Sequence, residues 1–134
     1  MRSLGDMSWI NDYVGIPYLR GGRTLNGVDC YGLCKLVYAN EYGIDLPDWQ
    51  EDYADLKTRN NIIQGVVTSG DFEELETPFD ASFVVCSRTK ASHHVGLHYA
   101  GCVLHASEGI GSVFEPMRRF NKKYTRLTFG DWHP

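Results

Sequence analysis

Apolar residues in the first third of the chain recur at helical spacing. Residues 5–14 place them at Met7, Ile10, Tyr13 and Val14, and Gly15 and Pro17 then end the segment. A second helix is predicted from about Cys30 to Tyr42, with Gly43 as its C-cap. Residues 17–29 between the two predict an irregular loop, and a third, polar helix is expected over residues 50–64.

From Ser82 onward the period becomes that of β-strands. Five strands are predicted, with the sequences SFVVCS, HVGLHY, CVLHAS, SVFEPM and YTRLTF. The preceding stretch TSGDFEELETPFDA is expected to be a loop or an edge segment. Because helices come first and strands follow, the order predicts one α+β domain over residues 1–134, in which an antiparallel sheet packs against the helix that begins at Cys30.

A hairpin with the two-residue turn Ala100-Gly101 decides which side chains share a face. Tyr99 then pairs with Cys102, and one face of the two strands carries His94, Gly96, His98, Val103, His105 and Ser107. The other face is almost wholly apolar and is expected to be core. His94 and His105 are diagonal neighbours that can touch, and Gly96 is expected to leave open space where substrate backbone could lie.

The stretch GGRTLNGVDCYGLCKLVY places Cys30 where a loop becomes a helix. Unpaired N–H groups and the helix dipole favour a thiolate there, and the thiolate is the nucleophilic form of cysteine. Cys30 could instead pack beneath the loop, and Cys34, one turn further in, is expected to be core. With the paired histidines, the pattern predicts a Cys-His-His site: a nucleophile, a general base and an imidazole that orients the base.

A zinc site is the alternative interpretation of the same side chains. It would need His94, His98 and His105 together with Cys30, because Cys102 points to the wrong face of the hairpin. The catalytic interpretation is preferred, and it requires no metal and no cofactor.

Charge, cysteine spacing and hydropathy argue against several classes of protein. The formal net charge of -4 argues against nucleic acid as the main partner, and the basic segment MRRFNKKYTR is expected to be a solvated face or a strand edge. The four cysteines are spaced for neither a disulfide scaffold nor a CxxC pair, so they are expected to be reduced. The sequence contains no apolar run of about 18 residues, so no membrane span is predicted. The first residues lack the apolar core of a signal peptide.

The segments PYLRGGRTLNGVDCYGLCKLVYANEYGIDLP and HVGLHYAGCVLHAS together resemble the NlpC/P60 family of papain-like cysteine peptidases. The resemblance implies a papain-like fold with Cys30 as nucleophile, His94 as general base and His105 as the orienting residue. It also implies that Tyr18 binds substrate and shapes the oxyanion site, and that Asp29 lines a pocket for an amino group. Independently of the resemblance, Asp29 is a candidate N-cap of the helix, and the two roles are compatible. Tyr31 departs from the family's usual serine and is expected to reshape the pocket, and Ser107 is expected to contact substrate.

The family resemblance also implies a substrate and a setting. The substrate would be peptidoglycan stem peptide, cut between D-γ-glutamate and the following diamino acid. The segments DCYGL…VY…GIDLP look most like those of stand-alone family members in phage tails. This likeness implies synthesis in the host cytoplasm and a place in the virion tail, with other tail proteins as partners. The alternatives are a structural tail-tip protein with a vestigial site, or a thiol acyltransferase or amidase.

Overall fold

A computed structural model of the chain describes residues 7–46, 72–89, 92–124 and 126–132. The predicted helix over residues 50–64 lies outside these ranges. The first segment is a short 3-10 helix, Ser8–Tyr13, which buries Trp9, Ile10 and Tyr13. Val14, which the helical spacing placed with them, is 42% exposed and lies just after the end of the helix.

The helix that begins at the candidate nucleophile, α1 (Cys30–Tyr42), has the predicted bounds. Asp29 caps it by accepting a hydrogen bond from the Gly32 N–H, and Gly43 ends it at φ 67°, a left-handed conformation that suits glycine. A Cβ at Gly32 would overlap the carbonyl oxygen of Gly22, so the first turn and the preceding loop meet backbone against backbone. That loop holds two short paired strands, β1 (Arg23–Thr24) and β2 (Gly27–Val28).

A six-stranded antiparallel sheet follows α1 in the chain. In spatial order its strands are β3 (Phe72–Leu75), β8 (Arg126–Trp132), β4 (Phe83–Thr89), β5 (Ser92–Tyr99), β6 (Cys102–Ser107) and β7 (Gly111–Pro116). The α+β class and the edge position of residues 72–75 are confirmed. Tyr99 pairs with Cys102 and Leu97 with Leu104, so the predicted hairpin register is also correct.

Helices pack on both faces of the sheet. Helix α1 and the 3-10 helix pack on one face, where the predicted apolar set of the hairpin joins the main core. A short helix that the strand pattern did not predict, α2 (Met117–Asn121), covers part of the other face through Phe120. No helix in the described ranges is both long and apolar enough to cross a bilayer.

The expectation of open space at Gly96 is wrong. A Cβ there would lie 2.8 Å from Val103 Cγ1 and 3.0 Å from His105 Cβ. Val103 is fully buried in a cluster with Phe120 of α2, so the side chain next to Gly96 is held in place and fills the space over it. The glycine instead lets the two strands' side chains approach each other closely.

Candidate active site

The candidate nucleophile lies at the junction of helix and sheet. Cys30 is the first residue of α1, and α1 packs on β5 and β6, the strands that carry the paired histidines. Its side chain is only 2% exposed and belongs to the main core cluster together with Val95 and Ala106, the residues that follow His94 and His105 in sequence. The helix that begins at Cys30 therefore packs against the two strands that carry the histidine pair.

The predicted contact between the two histidines is present. His94 Nε2 lies 2.9 Å from His105 Nδ1, and the rings meet edge to face with centroids 5.0 Å apart. At this distance one nitrogen donates its proton and the other accepts it. His105 is 1% exposed, so the bond is formed away from bulk water.

Two further side chains continue this hydrogen-bond chain. His105 Nε2 lies 2.7 Å from Glu115 Oε1 on β7, and Lys123 Nζ lies 2.9 and 3.1 Å from the two oxygens of Glu115. Neither residue was predicted from the sequence. The strand pattern held a signal for Glu115, because His105 pairs with Val113 and a residue two positions along β7 lies diagonally from it on the same face.

The pKa values of this chain follow from its burial and its charges. Burial lowers the pKa of His105, although the hydrogen bond from its ring to Glu115 acts in the opposite direction. Burial alone would raise the pKa of Glu115, but the hydrogen bonds from Lys123 and His105 outweigh it and lower that pKa. His105 is therefore neutral and Glu115 ionised near neutral pH.

Aromatic side chains from the C-terminal part cover the histidine pair. Tyr124 stacks on His94 with ring centroids 5.6 Å apart and planes only 6° from parallel. Phe120 meets His105 edge on at 4.9 Å. These contacts shield the imidazoles from solvent in part, and a hydrogen bond in such surroundings is stronger than one in water.

Asp29, just before the nucleophile, is completely buried and its carboxylate has three hydrogen-bond donors. Oδ1 accepts from Gly32 N and from Arg23 Nη1, at 2.6 and 2.9 Å, and Oδ2 accepts from Gly21 N at 2.8 Å. The helix cap that the sequence analysis gave as one of two roles is therefore observed. Contact with a substrate amino group stays a prediction.

The other predicted substrate-binding residues lie around the helix start and the hairpin. Tyr18 is half-buried and its backbone forms a parallel bridge with Val28. Tyr31 is 1% exposed, and the Arg23 guanidinium lies 5.7 Å from the centroid of its ring. Ser107 Oγ lies 3.4 Å from His105 Nδ1, a long contact beside the His94 bond. Their roles toward a substrate stay predictions.

The structure also bears on the remaining thiols and on the zinc interpretation. All four cysteines are free, as expected, and burial raises the pKa of the Cys34 thiol well above its usual value, which suits a core residue. Within the described part of the chain no three histidine, cysteine, aspartate or glutamate side chains are grouped to hold a metal ion. Both ring nitrogens of His105 are already engaged by His94 and Glu115, which argues against its serving as a zinc ligand.

Comparisons with known proteins agree with the sequence resemblance. The profile of the NlpC/P60 family matches residues 15–128. The chain is 23% identical over 116 residues to the murein DD-endopeptidase MepS/murein LD-carboxypeptidase of Escherichia coli K12, a match that covers 84% of this chain and 55% of that protein. The equivalent proteins of two further E. coli strains match equally well. The chain thus spans about half the length of these curated relatives.

Solved structures show the same fold. The NlpC/p60 domain of the peptidoglycan hydrolase SagA superposes with a TM-score of 0.57 at 19% identity, over 88% of this chain and 89% of that domain. A lipoprotein-like member of the NLP/P60 family from Staphylococcus aureus Mu50 gives 0.53 at 21% identity, over 89% of this chain and 39% of that one. At such identities the likeness establishes the papain-like α+β architecture.

Proposed function

Because the chain belongs to the NlpC/P60 family, we propose that it is a cysteine hydrolase that cuts peptide bonds in the stem peptides of peptidoglycan. The names of its relatives support this substrate, since MepS is a murein endopeptidase and SagA a peptidoglycan hydrolase. The bond we propose is the one between D-γ-glutamate and the following diamino acid.

One observation carries the proposal. The 2.9 Å bond between His94 and His105 lies on the two strands against which α1 packs, and α1 begins at Cys30. A thiol at a helix start, a base and a residue that orients the base are the three parts that covalent acyl transfer needs. They come from segments more than 60 residues apart in the sequence, and the packing of α1 on β5 and β6 supports the proposal that they act together.

The proposed reaction has two steps. His94 takes the proton of the Cys30 thiol, the sulfur bonds to the substrate carbonyl carbon, and the C–N bond breaks as His94 returns the proton to the leaving amine. Water then attacks the thioester, gives a proton to His94, and the sulfur leaves and recovers that proton. The backbone N–H of Cys30, in the helix turn whose N–H groups lack intrahelical acceptors, and the Tyr18 hydroxyl stabilise the oxyanion.

Digestion of defined muropeptides tests the bond. We expect the purified protein to release fragments with a new carboxyl group on D-glutamate and a new amino group on the diamino acid, and mass spectrometry identifies both termini. A new terminus at another position would reject the proposed bond. Transfer of the acyl group to an added amine in place of water would favour an acyltransferase.

We further propose that the protein acts in a phage tail, where it opens the wall during genome delivery after synthesis in the host cytoplasm. The support is the likeness of the DCYGL…VY…GIDLP segments to stand-alone tail members. Antibodies against the chain should label tail tips of purified particles in immunogold electron microscopy. Particles without label, from a lysate that contains the protein, would reject this location and the expected tail partners.

A further inference from the structure

We infer that Glu115, held by Lys123, is a positioning residue that fixes the tautomer of the histidine pair. This inference deepens the proposed function and rests on it for the identity of the base. The observation behind it is the unbroken series of short contacts from His94 to His105, from His105 to Glu115 and from Glu115 to Lys123.

The positions of the protons follow from which atoms can donate. An ionised carboxylate only accepts hydrogen bonds, so the 2.7 Å contact requires a proton on His105 Nε2. In a neutral imidazole the other nitrogen then has a lone pair, and His105 Nδ1 accepts from His94 Nε2. The same rule leaves His94 with its basic lone pair on Nδ1. Glu115, which reaches His94 only through His105, thus determines which nitrogen of the base takes the thiol proton.

Lys123 keeps Glu115 in the state that this arrangement needs. Its two hydrogen bonds hold the carboxylate ionised at a position where only 7% of the residue is exposed. Its charge also disfavours a second proton on His105. A doubly protonated His105 would donate from Nδ1 and force His94 into the opposite tautomer, with its Nδ1 already protonated.

The other groups around the pair do not supply an equivalent partner. Tyr124 stacks on the face of His94, and Cys86 on the neighbouring strand donates to the His94 backbone carbonyl at 3.4 Å. Ser107 contacts the same nitrogen of His105 as His94 does, and at a longer distance. Glu115 is the carboxylate that the structure shows within hydrogen-bond distance of His105.

The test is the tautomer of His105, measured by long-range ¹H–¹⁵N NMR of the imidazole nitrogens at neutral pH. In the parent protein we expect the proton on Nε2. In Glu115→Gln the amide can donate to Nε2, so a large share of His105 should carry its proton on Nδ1 instead. Glu74→Gln is the matched control, because this exposed residue on β3 is far from the pair in the sheet.

Alkylation of Cys30 by iodoacetamide provides a second measurement that needs no substrate. We expect Glu115→Gln to slow it by about tenfold or more, because the wrong tautomer of a base disables proton transfer. A normal Nε2-protonated His105 in Glu115→Gln, with alkylation as fast as in Glu74→Gln, would overturn the inference. If the tautomer and alkylation change as expected but the parent does not digest muropeptides, the positioning role stands and the proposed substrate is wrong.

If Glu115→Gln does not fold, the variant Lys123→Met still tests the inference. Lys123 lowers the pKa of both His105 and Glu115, so its removal raises both. His105 then takes its second proton at a higher pH, and the loss of Cys30 alkylation on acidification should begin at a higher pH than in the parent. The neighbouring Lys122, exposed and without a described ion pair, gives the control Lys122→Met. Coincident pH profiles of the two variants would contradict the role of Lys123.

Discussion

Replacement of Cys30 by alanine should abolish release of soluble muropeptides from purified sacculi. No acyl-enzyme can form without the thiol, and loss of a catalytic nucleophile costs about a millionfold in kcat. The side chain is small and buried, so alanine should fit with little change in packing. The expected result is a folded, inactive protein, checked by circular dichroism and by turbidity of a sacculus suspension.

Cys102→Ala is the control for this experiment. Cys102 is a half-buried thiol on β6, and strand alternation places it on the opposite face from His105. The Cys102→Ala variant should clear sacculi at the parent rate. Equal clearing by Cys30→Ala and Cys102→Ala would reject Cys30 as the nucleophile, and inactivity of the parent itself would favour the structural tail-tip role.

The second large effect is expected for His94→Gln. General acid–base catalysis by a positioned side chain contributes about 10²–10⁴-fold, and this variant should lose that factor in kcat. It should also lose the activated thiolate, because the imidazole proposed to accept the Cys30 proton is gone. Iodoacetamide at pH 6 should therefore modify Cys30 in the parent faster than free cysteine, and in His94→Gln no faster than free cysteine.

His98→Gln distinguishes the base from a histidine that merely shares its strand. His98 lies four residues further along β5, where its Nδ1 is 3.8 Å from Asp80 Oδ1. Its loss should leave both kcat and the alkylation rate near the parent values. If His94→Gln and His98→Gln show the same alkylation rate at pH 6, the assignment of the base is wrong.

The part of the site that the sequence predicts correctly depends on local geometry. A loop that ends in Asp29 before an apolar run specifies a helix start, and a two-residue turn fixes strand register for several residues on each side. Those two rules placed Cys30 at the first position of α1 and brought His94 against His105. The contact needed no knowledge of how the helix packs on the sheet.

Features that depend on longer connections were not predicted. The contact of Lys123 with Glu115 requires α2 to reverse the chain after Pro116, and five residues are too few for a recognisable helical period. Val103 and His105 of the neighbouring strand fill the space at Gly96 that the alternating pattern suggested was open. Alternation shows which face a residue occupies, but it does not show what covers that face.

The contact between Gly32 and the carbonyl of Gly22 has a consequence for comparing relatives of this chain. Any side chain at position 32 would push the loop away from the helix, whether or not the protein still catalyses a reaction. Relatives that have lost hydrolytic activity should therefore keep this glycine, while the residue at the position of Cys30 varies. A survey of genomes that scores the glycine as a sign of enzymatic competence would count such pseudoenzymes as active.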